Sequence, residues 1–237
     1  MLGTETHALF LHLKVLATEL ETLLHDSGKY PSSSQVHQLR VLIRRIRLGF
    51  ELFEEQDATP RLKRLGKALG RRRDLEVALA DEPEFETGRK QLRRDKKKAS
   101  LRLTKRLAGS CRKKVLRETH EALDALGRRK VTRLGKGYAN IRNGLSRTAK
   151  APSRSAEALH EFRIALRKAR YALEALGKPV DPLVRLQDHL GRAHDLQLLR
   201  DLTHSSPKLD QAQAKEVREA MKLKGSVIPI AARRLKL

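Results

Sequence analysis

The chain has 237 residues, enough for one large domain or two half-sized helical bundles. Its 52 Lys and Arg stand against 28 Asp and Glu, a formal net charge of +24, so the partner classes to separate are nucleic acid, an anionic membrane surface and inorganic polyphosphate. Aromatics make up 3% with no Trp, which leaves few platforms for stacking unpaired bases, and the lone Cys111 excludes an internal disulfide and a cysteine-based metal site.

Apolar residues recur at helical spacing almost throughout and no stretch alternates like a strand, so an all-α fold is expected. The first helix is predicted over 4–25. Glu5, His12, Lys14, Glu19 and Glu21 interrupt it, so it reads as amphipathic, neither a signal peptide nor a membrane span. With no bilayer-length apolar run and a single thiol, a cytoplasmic location is expected. Further helices are predicted over 34–55, 60–80, 84–108, 111–149, 156–176, 182–203 and 208–224, the fifth divisible near Gly127 or Gly135. Thr59-Pro60, Asp181-Pro182 and Ser206-Pro207 each set a capping side chain before a proline suited to a first helical turn. The tail from Gly225 to Leu237 has no assigned role.

Two of these helices carry the same motif. Val36-His37-Gln38-Leu39-Arg40-Val41-Leu42-Ile43-Arg44-Arg45-Ile46-Arg47 matches Leu159-His160-Glu161-Phe162-Arg163-Ile164-Ala165-Leu166-Arg167-Lys168-Ala169-Arg170 at an offset of 123, and both run on to a glutamate, Glu51 or Glu174. Every identical residue is polar, while the apolar positions keep character and change identity, as a core that needs volume allows. A second pairing, at an offset of 121, joins Leu62, Arg64, Leu65, Leu69, Gly70, Arg71, Asp74 and Leu75 to their counterparts from Leu183 to Leu196, including Gly191, Arg192 and Asp195. The economical architecture is two related four-helix units about a pseudo-twofold, over 1–108 and 131–224, with 109–130 as a linking helical segment.

On a helical projection His37, Arg40, Arg44 and Arg47 share an arc of roughly 80°, opposite Leu39, Leu42, Ile43, Ile46, Phe50 and Phe53. His160, Arg163, Arg167 and Arg170 repeat this against Phe162, Leu166, Ala169, Leu173 and Leu176. Like charges so spaced repel, and an anion laid across them relieves the repulsion. Guanidinium forks grip phosphate bidentately, and a row of them suits a linear chain of phosphates. Arg45 and Lys168 flank the rows, and the two histidines could donate to phosphate oxygens once protonated. The plain alternative is a solvated face paired with nearby carboxylates. Glu51 and Glu174 are expected to hold an arginine at i, i+4, and Asp74 and Asp195 to tether arginines from the neighbouring helix. Gly70 and Gly191 are expected to permit close helix approach or a local bend.

Catalytic signatures are missing: there is no phosphate-binding Gly-x-x-x-x-Gly-Lys loop and no Gly-x-Ser-x-Gly elbow. His194-Asp195 resembles the His-Asp pair of helical metal phosphohydrolases, yet the repeat reads Arg73-Asp74, so neither a metal nor a cofactor is expected. The Lys/Arg-rich stretch from Arg89 to Arg106 reads as a solvated face that could widen an electrostatic funnel.

Taken together, the paired His/Arg motifs and the Leu-Gly-x-x-x-Asp-Leu stretches closely resemble the CHAD family, the conserved-histidine α-helical domain. The resemblance implies two four-helix bundles around a basic central groove that binds inorganic polyphosphate, at polyphosphate granules in some members. It carries the basic positions onto His37, Arg40, Arg44, Arg45 and Arg47, and onto His160, Arg163, Arg167, Lys168 and Arg170, with Arg71 and Arg192 as weaker candidates. Many relatives are fused to a triphosphate-hydrolysing tunnel domain marked Glu-x-Glu-x-Lys. Glu84-Phe85-Glu86-Thr87-Gly88 lacks that Lys, so a non-enzymatic binder is expected, with a polyphosphate-metabolising enzyme as a candidate partner. The rivals are a nucleic-acid binder, a phosphohydrolase, and an adaptor for an acidic protein tail. Base readout would call for Asn or Gln beside the cations, and the two rows contain neither.

Overall fold

The computed structural model describes residues 4–55, 57–80, 86–128, 134–153, 155–202 and 207–236. Those residues form nine helices and no strand: α1 (Thr4–Asp26), α2 (Ser33–Leu52), α3 (Pro60–Ala80), α4 (Glu86–Leu107), α5 (Gly109–Arg128), α6 (Leu134–Thr148), α7 (Ala156–Ala175), α8 (Asp181–Leu202) and α9 (Pro207–Arg234). The all-α expectation holds.

The chain divides into two compact units, Met1–Thr132 and Arg133–Leu237. In the first, α2 packs between α1 and α3, α4 packs on α3, and α5 packs on α1, α3 and α4. The segment expected to link two halves is thus the fifth helix of this unit. In the second, α6 packs on α7 and α9, α7 on α8, and α8 on α9.

The motif helices begin and end alike. Ser32 caps α2, its hydroxyl accepting from the Gln35 amide while the Gln35 side chain accepts from the Ser32 amide. Ser155, which stands 123 residues further on, caps α7 by accepting from the Ala158 amide. Both helices close in a Schellman turn. Glu55 and Glu54 donate to the carbonyls of Phe50 and Glu51, as Lys178 and Gly177 do to those of Leu173 and Glu174. The left-handed residue is Glu54 (φ 61°) in one and Gly177 (φ 64°) in the other.

Val36, Leu39, Ile43, Ile46 and Phe50 are all but fully buried in the first unit, as are Phe162, Leu166, Ala169 and Leu173 in the second. Complete burial of a side chain such as Phe50 or Phe162 stabilises by about 1.5–3 kcal/mol. Phe53 is buried as expected, whereas Leu176 is only half-buried.

Two helix ends depart from expectation. Thr59 does not cap α3: its hydroxyl is buried without a partner among the described residues, and the Arg61 amide donates instead to Glu118 of α5 at 2.7 Å. Asp181 lies inside the first turn of α8, where the carbonyl of Val180 accepts the first amides. Ser206 falls outside the described residues. The 111–149 stretch divides into α5 and α6 in the region of Gly127 and Gly135 where a division was expected, and 129–133 between them also lie outside the described residues.

α9 runs on to Arg234, ten residues past its expected end and through Pro229, so the expected tail is mostly helix. Val227, Ala231 and Leu235 are buried, and Lys178 donates to the Arg234 carbonyl at 2.6 Å. Cations finish two other helices in this way. Arg112 donates to the Leu24 carbonyl of α1, and Lys224 to the Ala149 carbonyl after α6.

Candidate functional site

α2 packs on α1 and α3 with its apolar stripe buried and its cationic face less deeply covered. His37 is exposed at its start, and Arg40, Arg44, Arg45 and Arg47 are half-buried along it. Arg40 Nη2 lies 3.1 Å from Asp74 Oδ1 of α3, the tether expected of Asp74. A Cβ on Gly70 of α3 would sit 3.8 Å from Arg40 Nε, an ordinary contact, so close helix approach does not require a glycine there. The tighter helix approach is one turn earlier, where a Cβ on Gly66 would sit 3.1 Å from Ile43 Cγ2. His37 and Arg45 also line a cavity of about 770 Å³ between α1 and α2.

On α7, His160 is exposed and Arg163, Arg167, Lys168 and Arg170 are half-buried. Arg170 Nε stands 3.4 Å from Glu174 Oε1, an i, i+4 ion pair of the expected kind without hydrogen-bond alignment. Its guanidinium also stacks over the Tyr171 ring at 4.8 Å. Gly191 of α8 has open space around it, so close helix approach is not its role, and α8 runs through it unbroken. Arg192 is exposed on α8, and Glu51 and Asp195 are half-buried.

Half-burial distinguishes these rows from ordinary solvated faces. A long cation held partly out of water, with a carboxylate or a ring fixing its rotamer, has already lost the side-chain entropy an anion would otherwise have to remove.

Electrostatics at both histidines reflect that crowding. His37 is held below the usual imidazole pKa of 6.5, first by partial loss of hydration where its exposed ring meets the helices, then by Arg73, Arg40 and Arg44. His160 is lowered too, first by burial, then by Arg163 and Arg167, with Glu161 opposing. In the ligand-free protein both histidines therefore favour the neutral form.

Two residues beside the rows escaped the helical projection. Arg73 is the cation on α3 that bears most on His37, and its counterpart His194 on α8 places its ring 5.6 Å from that of His160. Their signal was the shared position: 73 and 194 pair at the offset of the Gly-Arg-x-x-Asp repeat. A buried knot was also missed, in which Glu76 of α3 takes hydrogen bonds from Ser33 at 2.8 Å and Arg72 at 2.9 Å. Arg71 points elsewhere, onto the wall of a cleft between α3 and α4.

Among the described residues no group of three or more His, Cys, Asp or Glu could hold a metal ion. No described helix is long and apolar enough to cross a membrane.

The profile of the CHAD domain matches residues 7–204. The chain belongs to the CHAD family. Its fold is similar to that in the crystal structure of the CHAD domain from the plant Ricinus communis, with a TM-score of 0.63 and 19% identity over 97% of this chain and 91% of that one. At that identity the likeness bears on fold alone. No curated protein sequence matches significantly. The family match stops short of α9, yet in this CHAD chain α9 packs against α6, α7 and α8 and completes the second unit.

Proposed function

We propose that this CHAD protein binds inorganic polyphosphate without turning it over, through the cationic faces of α2 and α7. The observation that carries the reading is the recurrence, at one sequence offset, of half-buried Arg/Lys rows, each led by an exposed His, on helices with matching caps. Repetition of this kind offers a linear polyanion many equivalent phosphate grips, each releasing a counter-ion. The family resemblance extends the proposal to two duplicated bundles with a basic groove, to residence at polyphosphate granules, and to a polyphosphate-metabolising enzyme as partner. His37, Arg40, Arg44, Arg45 and Arg47, with His160, Arg163, Arg167, Lys168 and Arg170, bind phosphate on this reading. Glu174 and Asp74 position arginines, as seen for Arg170 and Arg40.

The test is a salt titration of binding to long-chain polyphosphate and to duplex DNA in parallel, for the wild type and for a variant with Arg40, Arg44, Arg163 and Arg167 changed to Ala. Polyphosphate preference in the wild type, strongly weakened in the variant, is the expected result. Equal binding of both polymers by both proteins would reduce the rows to ordinary surface. Phosphate release from polyphosphate, with or without divalent metal, would overturn the non-enzymatic part.

A further inference from the structure

A second cationic cleft lies within the first unit, between α3 and α4, with a volume of about 720 Å³. One wall is Arg64, Lys67 and Arg71 of α3, spaced three and four residues apart and therefore on one helix face. The facing wall is Lys98, Arg102, Lys105 and Arg106 of α4, again on one face. Ala68 and Ala99 line it between these long side chains, so the cleft stays open. Asp95 is the one carboxylate among the described residues that line it. All seven cations are exposed, and two such rows face each other across the gap.

Rows of like charge in this arrangement repel along each helix and across the cleft. An isolated anion would neutralise one or two of them. A linear chain of negative charges, laid between the helices, would meet both rows along its length. The lining has no aromatic side chain to stack a base and no Asn or Gln to read one, so nothing in it engages a nucleobase.

The geometry points to the α3/α4 cleft as a separate binding site for a short linear oligophosphate, independent of the α2 and α7 rows. It neither needs the reading of those rows nor lends it support, since none of their arginines lines this cleft.

Cys111, exposed at the cleft edge and the single cysteine of the chain, supplies the reporter. Its alkylation by neutral iodoacetamide is followed on the full chain at fixed pH and ionic strength, with tripolyphosphate as the probe. Three proteins are compared: the wild type, a cleft variant with Lys67, Arg71, Lys98 and Arg102 changed to Gln, and a row variant with Arg44 and Arg167 changed to Gln. Circular dichroism and melting confirm that each is folded. Tripolyphosphate at about ten times its dissociation constant is expected to slow alkylation about tenfold in the wild type. The row variant is expected to be protected equally, and the cleft variant not at all. Absence of protection in the wild type would overturn the site, as would equal protection by chloride or orthophosphate at matched ionic strength. Protection lost in the row variant but kept in the cleft variant would also overturn it. Equal protection by a duplex DNA oligonucleotide would replace the oligophosphate with nucleic acid as the occupant.

Discussion

Glu54 and Gly177 occupy the same step of the same helix-ending turn, with φ of 61° and 64°, and only one of them is glycine. A side chain in the left-handed region costs roughly 1–2 kcal/mol, so Glu54→Gly is expected to stabilise the protein by about 1 kcal/mol and Gly177→Ala to destabilise it comparably. Denaturant midpoints measure both, and a destabilised Glu54→Gly would mean that the Glu54 side chain contributes more than its backbone strain costs. The histidines make a second prediction at this scale. Because His37 and His160 sit below 6.5 in the folded chain, the unfolded chain binds more protons at mildly acidic pH. Their contribution to stability is therefore complete above pH 6.5 and is lost as pH falls from there through the depressed folded values. A bound polyanion reverses the local field and favours the imidazolium. Polyphosphate binding should accordingly take up protons and tighten as pH falls from about 7.5 to about 5.5. Calorimetry in buffers of different ionisation enthalpy counts the protons, and changing both histidines to Gln should remove most of the uptake.

Helix α9 carries the prediction at the scale of elements. Ending the chain after Lys224 would delete the buried Val227, Ala231 and Leu235 and free the Lys178 ammonium from the Arg234 carbonyl. Val and Leu side chains contribute about 1.5–3 kcal/mol each when fully buried, so the truncation should cost several kcal/mol. An unchanged melting curve would show that this end of α9 is dispensable. The same helix shows where sequence reading stops. Gly225 and Pro229 are ordinary breakers, and tertiary burial of three apolar residues overrides them. Local signals did carry α2 and α7, whose apolar period lies within single segments and placed their ends to within a few residues, while the Ser32 and Ser155 caps were seen only in the structure. What joins different helices was not legible. Glu118 takes the Arg61 amide at the start of α3 from 57 residues away, and Arg73 bears on His37 from the next helix. A projection of one helix orders its own faces and is blind to both. The half-burial of the arginine rows was hidden for the same reason, since it arises from packing and not from period.

At the scale of the whole chain, a net charge of +24 opposes compactness, and a few cations, Arg112, Lys178 and Lys224 among them, are held on helix-end carbonyls. General screening and specific binding both relieve this repulsion, but they scale differently. Screening depends on ionic strength and treats every phosphate alike, whatever chain it belongs to. Binding along a row gains from each further phosphate on one chain, because the second contact is already held near its site. Long-chain polyphosphate should therefore raise the melting temperature well above orthophosphate at equal phosphate concentration and matched ionic strength. At about a hundred times the dissociation constant, mass action stabilises the folded state by about 2.7 kcal/mol, or roughly 5–10 °C for a protein of this size. With Arg40, Arg44, Arg163 and Arg167 changed to Ala, the excess shift should fall sharply, leaving only what the α3/α4 cleft contributes. If both anions shift the wild type equally, the charge acts diffusely and the repeated rows do not form a dedicated site. If the excess survives undiminished in the variant, the rows do not hold the chain, and the α3/α4 cleft with its seven basic residues is then the place to remove charge next.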